Sequence, residues 1–132
     1  MRLRRLVTLL PLLALAGCGH SDAVPNRTTT VGAAAIAIDS PDLNAAVHSP
    51  LRVSGTANTF EASFVLELRT GGRTLVHRTV HATSGSGARG TFSVRVRFSV
   101  AEETRGELRA YEVSAKNGEP VNEVSVPLSL LP

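Results

Sequence analysis

Tryptophan is absent from this 132-residue chain, and cysteine, tyrosine and methionine each occur once. A single cysteine excludes an intrachain disulfide, so the fold must hold by its core alone. Aromatic residues make up 4% of the chain, four Phe and one Tyr, most of them at positions that read as core. That counts against a sugar-binding surface, which presents exposed aromatics. No stretch keeps a helical period over three turns. No G-x-S-x-G elbow and no H-E-x-x-H pair occurs, and the Ser, His and Asp residues are scattered. Glu102 and Glu103 are adjacent in a turn, whereas paired-carboxylate hydrolysis needs two acids across a cleft. The expectation is a non-catalytic protein with no metal and no small-molecule cofactor.

What is present at the amino end is an export signal. Met1–Arg5 reads MRLRR, followed by the apolar LVTLLPLLALA. This is a basic n-region and an h-region. It is shorter than the roughly 20 apolar residues of a bilayer-spanning helix, and Pro11 interrupts it. Leu15-Ala16-Gly17-Cys18 then resembles the lipobox of bacterial lipoproteins. The resemblance implies cleavage after residue 17 and acylation of the Cys18 thiol. It places the protein at the cell membrane, lipid-anchored on its extracytoplasmic face. Residues 18–33 are small and polar, are broken by Pro25 and lack periodicity, which reads as a flexible linker. Removing Arg2, Arg4 and Arg5 with the leader leaves 14 − 3 = 11 basic against 11 acidic groups. The electrostatic footprint of a nucleic-acid binder is therefore missing.

Residues 34–132 are one domain's worth of chain, and their period is two. In TFSVRVRFSV, Phe92, Val94, Val96, Phe98 and Val100 alternate with Ser93, Arg95, Arg97 and Ser99. Phe64, Leu66 and Leu68 oppose Glu67 and Arg69. Val76 and Val80 oppose Leu75, His77, Thr79 and His81. Val124, Val126, Leu128 and Leu130 alternate with polar residues and Pro127, which suits a free edge. Shorter runs surround Ile36 and Ile38, and Leu51 and Val53. In ELRAYEVSA the apolar phase passes from Leu108 and Ala110 to Tyr111 and Val113, which predicts a bulge near Ala110. Gly71-Gly72 and Asn117-Gly118 mark hairpins. Seven strands with such turns predict an all-β, immunoglobulin-like two-sheet sandwich, without the Cys and Trp core of antibody domains.

Two patterns that look like chemistry dissolve on this frame. GSGARG at 85–90 has the spacing of a dinucleotide loop, but a strand follows it where that loop requires a helix. It reads as a mobile connection. His77 and His81 share a strand face about 13 Å apart, too far for one metal. Thr59-Phe60-Glu61, after the Leu51–Ala57 strand, has two readings. Phe60 plugs the end of the core while Glu61 caps amides, or this end of the sandwich is a binding edge. Phe60, Glu61 and Tyr111 are the candidate interaction residues.

Ser49-Pro50-Leu51, Val53-x-Gly55-x-Ala57 and Phe60-Glu61 resemble the opening of the immunoglobulin-like domain of bacterial spore germination. Gly72, Phe92, Gly106-x-Leu108, Ser114-Ala115-Lys116-Asn117-Gly118 and Val126-Pro127-Leu128 continue the match over about residues 36–130. The resemblance implies an exported, non-catalytic module of the cell envelope. The expected partners are the membrane, through the lipid on Cys18, and an envelope protein. A carbohydrate or peptidoglycan ligand is the alternative.

Overall fold

The computed structural model describes residues 33–132. The leader, the Leu15-Ala16-Gly17-Cys18 motif and the spacer up to residue 32 lie outside the described residues. Eight strands follow in order: β1 (Ile36–Ser40), β2 (Ala46–Val47), β3 (Leu51–Ala57), β4 (Ser63–Thr70), β5 (Arg73–His81), β6 (Gly90–Val96), β7 (Thr104–Val113) and β8 (Pro120–Leu130). A small sheet has the order β1-β3-β6 and a large sheet the order β2-β8-β7-β4-β5. All pairs are antiparallel except β2 with β8. The fold is the immunoglobulin-like sandwich that the alternation predicts. The additional strand, β2, pairs only two residues and is too short to show a period.

The alternating residues meet between the sheets. Ile36, Val53 and Phe92 from the small sheet face Phe64, Leu66, Leu68, Leu108 and Leu130 from the large one, all nearly or fully buried. Phe64 and Phe92 meet edge to face across the gap, with centroids 4.9 Å apart and planes at 65°. Each such aliphatic side chain contributes about 1.5–3 kcal/mol by leaving water. With several buried from each sheet, a domain this small is stable without a disulfide. Gly55 lies in the middle of β3 because a Cβ there would sit 2.0 Å from the Ala37 carbonyl oxygen and 3.0 Å from the Phe92 ring. β1 can approach β3 only where that side chain is missing.

Local chemistry sets the turns. Gly71 and Gly72, with φ of 52° and 80°, join the paired Thr70 and Arg73 in a two-residue hairpin of the type that needs both φ positive. The Asn117-Gly118 hairpin is longer, spanning residues 114–119. It is closed by Ser114 N–H to the Glu119 carbonyl and Gly118 N–H to the Ser114 carbonyl, both 2.8 Å. On β8, β2 pairs only with Ser129 and Leu130, so no strand needs a donor from Pro127, whose carbonyl accepts from Asn44 N–H at 2.8 Å.

Three local expectations are corrected. The strand expected over residues 91–100 ends at Val96. Phe98 still packs against the core, and its N–H donates to Ser49 Oγ at 3.0 Å. The bulge occurs at the expected height but on the partner strand. Ala110 pairs with Val124 and Glu112 with Val121, so the extra residue lies in β8, where Asn122 has a φ of 52°. β7 therefore alternates without a slip, and Tyr111 shares the outer face of the sheet with Arg109. Third, GSGARG is a fastened loop, as its hydrogen bonds show below.

The open edge strand β5 is protected by Arg78. It lies opposite Leu66 at a core-facing position between Val76 and Val80, and its Nη1 donates to the Arg95 carbonyl of β6 at 3.3 Å. A charge at an inward position obstructs the pairing of this edge with another chain.

Candidate binding site

The site begins where the chain leaves β3 and crosses to the large sheet. Residues Phe60–Ala62 form a single 3₁₀ turn in which Glu61 and Ala62 both take left-handed conformations, with φ of 54° and 56°. A non-glycine residue held there costs on the order of 1 kcal/mol or more. Hydrogen bonds from all sides hold the corner. Thr59 is buried, and its carbonyl accepts from Ala62 N–H at 3.1 Å and Ser86 N–H at 2.9 Å. Glu61 N–H donates to Ser86 Oγ at 3.0 Å, and Gly87 N–H to Asn58 Oδ1 at 2.9 Å. Phe60 N–H donates to Glu112 Oε1 at 2.9 Å. The glycine loop is thus the strap of this corner. At Gly85 a Cβ would lie 2.4 Å from the Thr59 carbonyl oxygen and 2.5 Å from Ala62 N, so only glycine lets the strap approach.

The corner ejects Phe60 from the sandwich, leaving it 74% exposed. It does not plug the core, and Glu61 caps nothing with its carboxylate: its backbone N–H is the bonded group. Phe60 and Glu61 border a recess of about 190 Å³ lined also by Ser63, Val65, Thr79, Glu112 and Val113. Val113, at the end of β7, is 54% exposed. A largely exposed aromatic and a half-exposed valine thus flank a shallow depression of mixed polar and apolar lining at one end of the large sheet. Exposed apolar groups gathered at a polar rim are the usual mark of a docking surface.

Tyr111 is not part of that display. It is 8% exposed, lying opposite Val65 with the Arg109 guanidinium 5.4 Å from its ring centroid. Its hydroxyl reaches Glu67 Oε2 at 3.4 Å. Burial first, and then the Glu67 charge, raise the phenol above its ordinary pKa. Tyr111 belongs to a network that the strand pattern concealed. Glu67 reads in sequence as an outward polar residue, yet it is 7% exposed. Arg109 Nη1 approaches its Oε2 at 3.2 Å, Arg69 Nε its Oε1 at 3.6 Å, and Thr74 Oγ1 donates to Oε1 at 2.9 Å. Arg109 also binds Glu123 through Nε at 3.0 Å and Nη2 at 2.7 Å. The hydrogen bond from Arg109 holds the Glu123 carboxyl below the usual carboxylate range, and Glu123 in turn raises Arg109. Every carboxylate here is engaged by a guanidinium, so the network stiffens the face and offers no free base. His77 and His81 stand opposite Glu67 and Ser63, two ladder steps apart from each other, and do not converge.

A family model described as the immunoglobulin-like domain of bacterial spore germination matches residues 35–119. The chain belongs to this family. The matched segment covers 119 − 35 + 1 = 85 of the 132 residues, which takes in β1 to β7 and the last hairpin turn and stops before β8. No curated protein and no solved structure matches the chain. Within this family domain, the residues that carried the resemblance have structural reasons for their identity. Val53, Gly55 and Ala57 form the inward row of the central small-sheet strand, and Phe60-Glu61 make the strained corner. Ser114 to Gly118 close the turn into β8.

Proposed function

We propose that this immunoglobulin-like domain is a non-catalytic, germination-related interaction module, held on the extracytoplasmic face of the cell membrane by lipid on Cys18. Its partner is another protein of the cell envelope, which docks at the recess between Phe60 and Val113. The exposure of Phe60 on a corner that costs energy to maintain carries this reading. Strain of this kind concentrates at functional positions, and a buried phenylalanine would have been cheaper for the fold. The chemistry around the recess is consistent with binding: the neighbouring carboxylates of Glu67 and Glu123 are paired with Arg109, and the recess sets the Phe60 and Val113 side chains beside Glu61 and Glu112. Among the described residues, no helix is long and apolar enough to cross a membrane.

The test is a photo-crosslinking residue introduced at position 60 in the living host, with covalent products identified by mass spectrometry. One dominant envelope protein is expected, lost in a Cys18→Ala strain that cannot be anchored. Capture of wall glycan fragments in its place would overturn the protein-docking reading in favour of carbohydrate or peptidoglycan binding. For a purified partner, Phe60→Ala should weaken binding by about 2 kcal/mol, roughly 30-fold, as for an aromatic anchor at the centre of an interface.

A further inference from the structure

The outer face of the small sheet repeats one motif. Its three successive outward cross-strand pairs are Arg52 with Arg95, Ser54 with Ser93, and Thr56 with Thr91. Like charges set directly opposite each other destabilise a sheet. Among the described residues neither arginine has an ion-pair partner, because the ion pairs there involve only Glu67, Arg69, Arg109 and Glu123. Arg52 Nε is instead drawn along the face by Ser93 Oγ at 3.1 Å. At the other end Arg89 binds Thr56 Oγ1 at 3.0 Å and the Ala34 carbonyl. Arg97 follows one step beyond β6. The three strands hold a single acid, Asp39, at the bulge of β1. The result is a ladder of guanidinium and hydroxyl groups that runs over four residue steps, about 13 Å. None of the exposed large apolar residues, Leu43, Phe60, Val113 and Val121, lies on these strands.

We infer that this face rests on an anionic phospholipid surface. The like-charged pair is relieved when phosphate oxygens neutralise it. Hydroxyls and guanidinium groups are both donors to such oxygens, and an open sheet face without exposed large apolar side chains suits a headgroup plane rather than an acyl layer. The chain also enters the domain here, at Ala34 beside Arg89. Cys18 lies 34 − 18 = 16 residues upstream, a reach of at most about 55 Å. The inference rests on the lipid-anchor reading only for bringing the domain to a membrane. The face supplies orientation, as a basic patch does beside an acyl chain.

The experiment exploits the single cysteine. In a full-length Cys18→Ser chain, Thr91→Cys places a unique fluorescent label on the small-sheet face, and Ser125→Cys places one on the large-sheet face. Vesicles of phosphatidylcholine, with or without phosphatidylglycerol, are titrated while acrylamide quenching is followed. The leader is common to all variants and cancels between them. Quenching at position 91, not at 125, should fall on the anionic vesicles only, and 1 M salt should restore it. Adding R52Q and R95Q should raise the lipid concentration required by roughly 30-fold. R52K with R95K should retain binding, since a charged plane does not demand a bidentate fork. Equal protection on neutral vesicles, equal protection at both labels, or an unchanged R52Q/R95Q variant overturns the inference. Loss with the lysine pair as well also overturns it, because that marks a discrete anion site. Failure of these arms leaves the anchor reading intact, since that is tested by acylation of Cys18 itself.

Discussion

The outer faces of the two sheets handle charge in opposite ways. On the large sheet Glu67, Arg69, Arg109 and Glu123 alternate in sign and are locked to one another, with Tyr111 and Thr74 completing the network. On the small sheet Arg52 faces Arg95 across two strands with no carboxylate to separate them. The first arrangement satisfies itself within the domain. The second leaves its charges without a carboxylate partner among the described residues. A recess bordered by Phe60 and Val113 at the end of the self-satisfied face and a basic ladder on the other give the domain two distinct surfaces, consistent with the proposal that one turns to a protein and one to lipid.

The contrast is broken most strongly at Glu67. Glu67→Ala strips Arg109 of a largely buried partner and leaves the Tyr111 hydroxyl and Thr74 unpaired. A loss of about 2 kcal/mol is expected, within the range for hydrogen bonds to a charged group and below that for a fully buried pair. In a domain of this size that lowers the thermal midpoint by roughly 10 °C, measurable by calorimetry. An unchanged midpoint would show that the network contributes nothing to the large sheet.

Glu123 gives a smaller, pH-dependent effect. Its folded pKa is lowered by Arg109, so its contribution is present above the ordinary glutamate value of 4.5 and is lost as pH falls through the folded value. Glu123→Gln should therefore cost less than 1 kcal/mol at neutral pH, as a partly exposed pair. Parent and variant should converge in urea unfolding midpoint once the pH has fallen below the lowered folded value of Glu123. Persistent separation at acid pH would contradict the ion-pair account.

The small sheet should respond in the opposite direction. Removing a like-charged pair with R52Q and R95Q should leave stability unchanged or raise it by roughly 0.5 kcal/mol in low salt. A clear loss in calorimetry would mean that the arginines are satisfied internally and that the contrast between faces is false. The faintest effect is spectroscopic. The Tyr111 phenol is raised from 10.0, so the stability linked to its protonated form is kept below pH 10 and lost as pH rises through the folded value. Ultraviolet titration should show phenolate forming at a higher pH in the parent than in Glu67→Gln, which removes the nearby negative charge.

The strands were legible because alternation is a local code. Phe92, Val94 and Val96, or Leu66 and Leu68, announce a buried face without reference to any partner. Gly71-Gly72 announces a hairpin for the same reason. The candidate site was half legible. Phe60 and Glu61 stand at the corner that the sequence marked, and Phe60 is presented to solvent. Tyr111 was misplaced because a lone tyrosine after an apparent change of phase gives no sign of the arginine that will cover it. Glu67 was missed because an outward strand position predicts exposure, and its burial is created by Arg109, 42 residues away. The Arg52–Arg95 pair was invisible because the sequence shows two arginines but not their register.

Periodicity and turn chemistry by themselves determined that this chain makes a β-sandwich, roughly where its long strands run and, outside the bulge region, which side of each is apolar. Those properties depend on residues two to four positions apart. Only the tertiary structure decided which outward charges are neutralised and which aromatic is left in water. Those outcomes depend on cross-strand register and on the corner strapped by the glycine loop, where residues far apart in sequence must approach within hydrogen-bond distance.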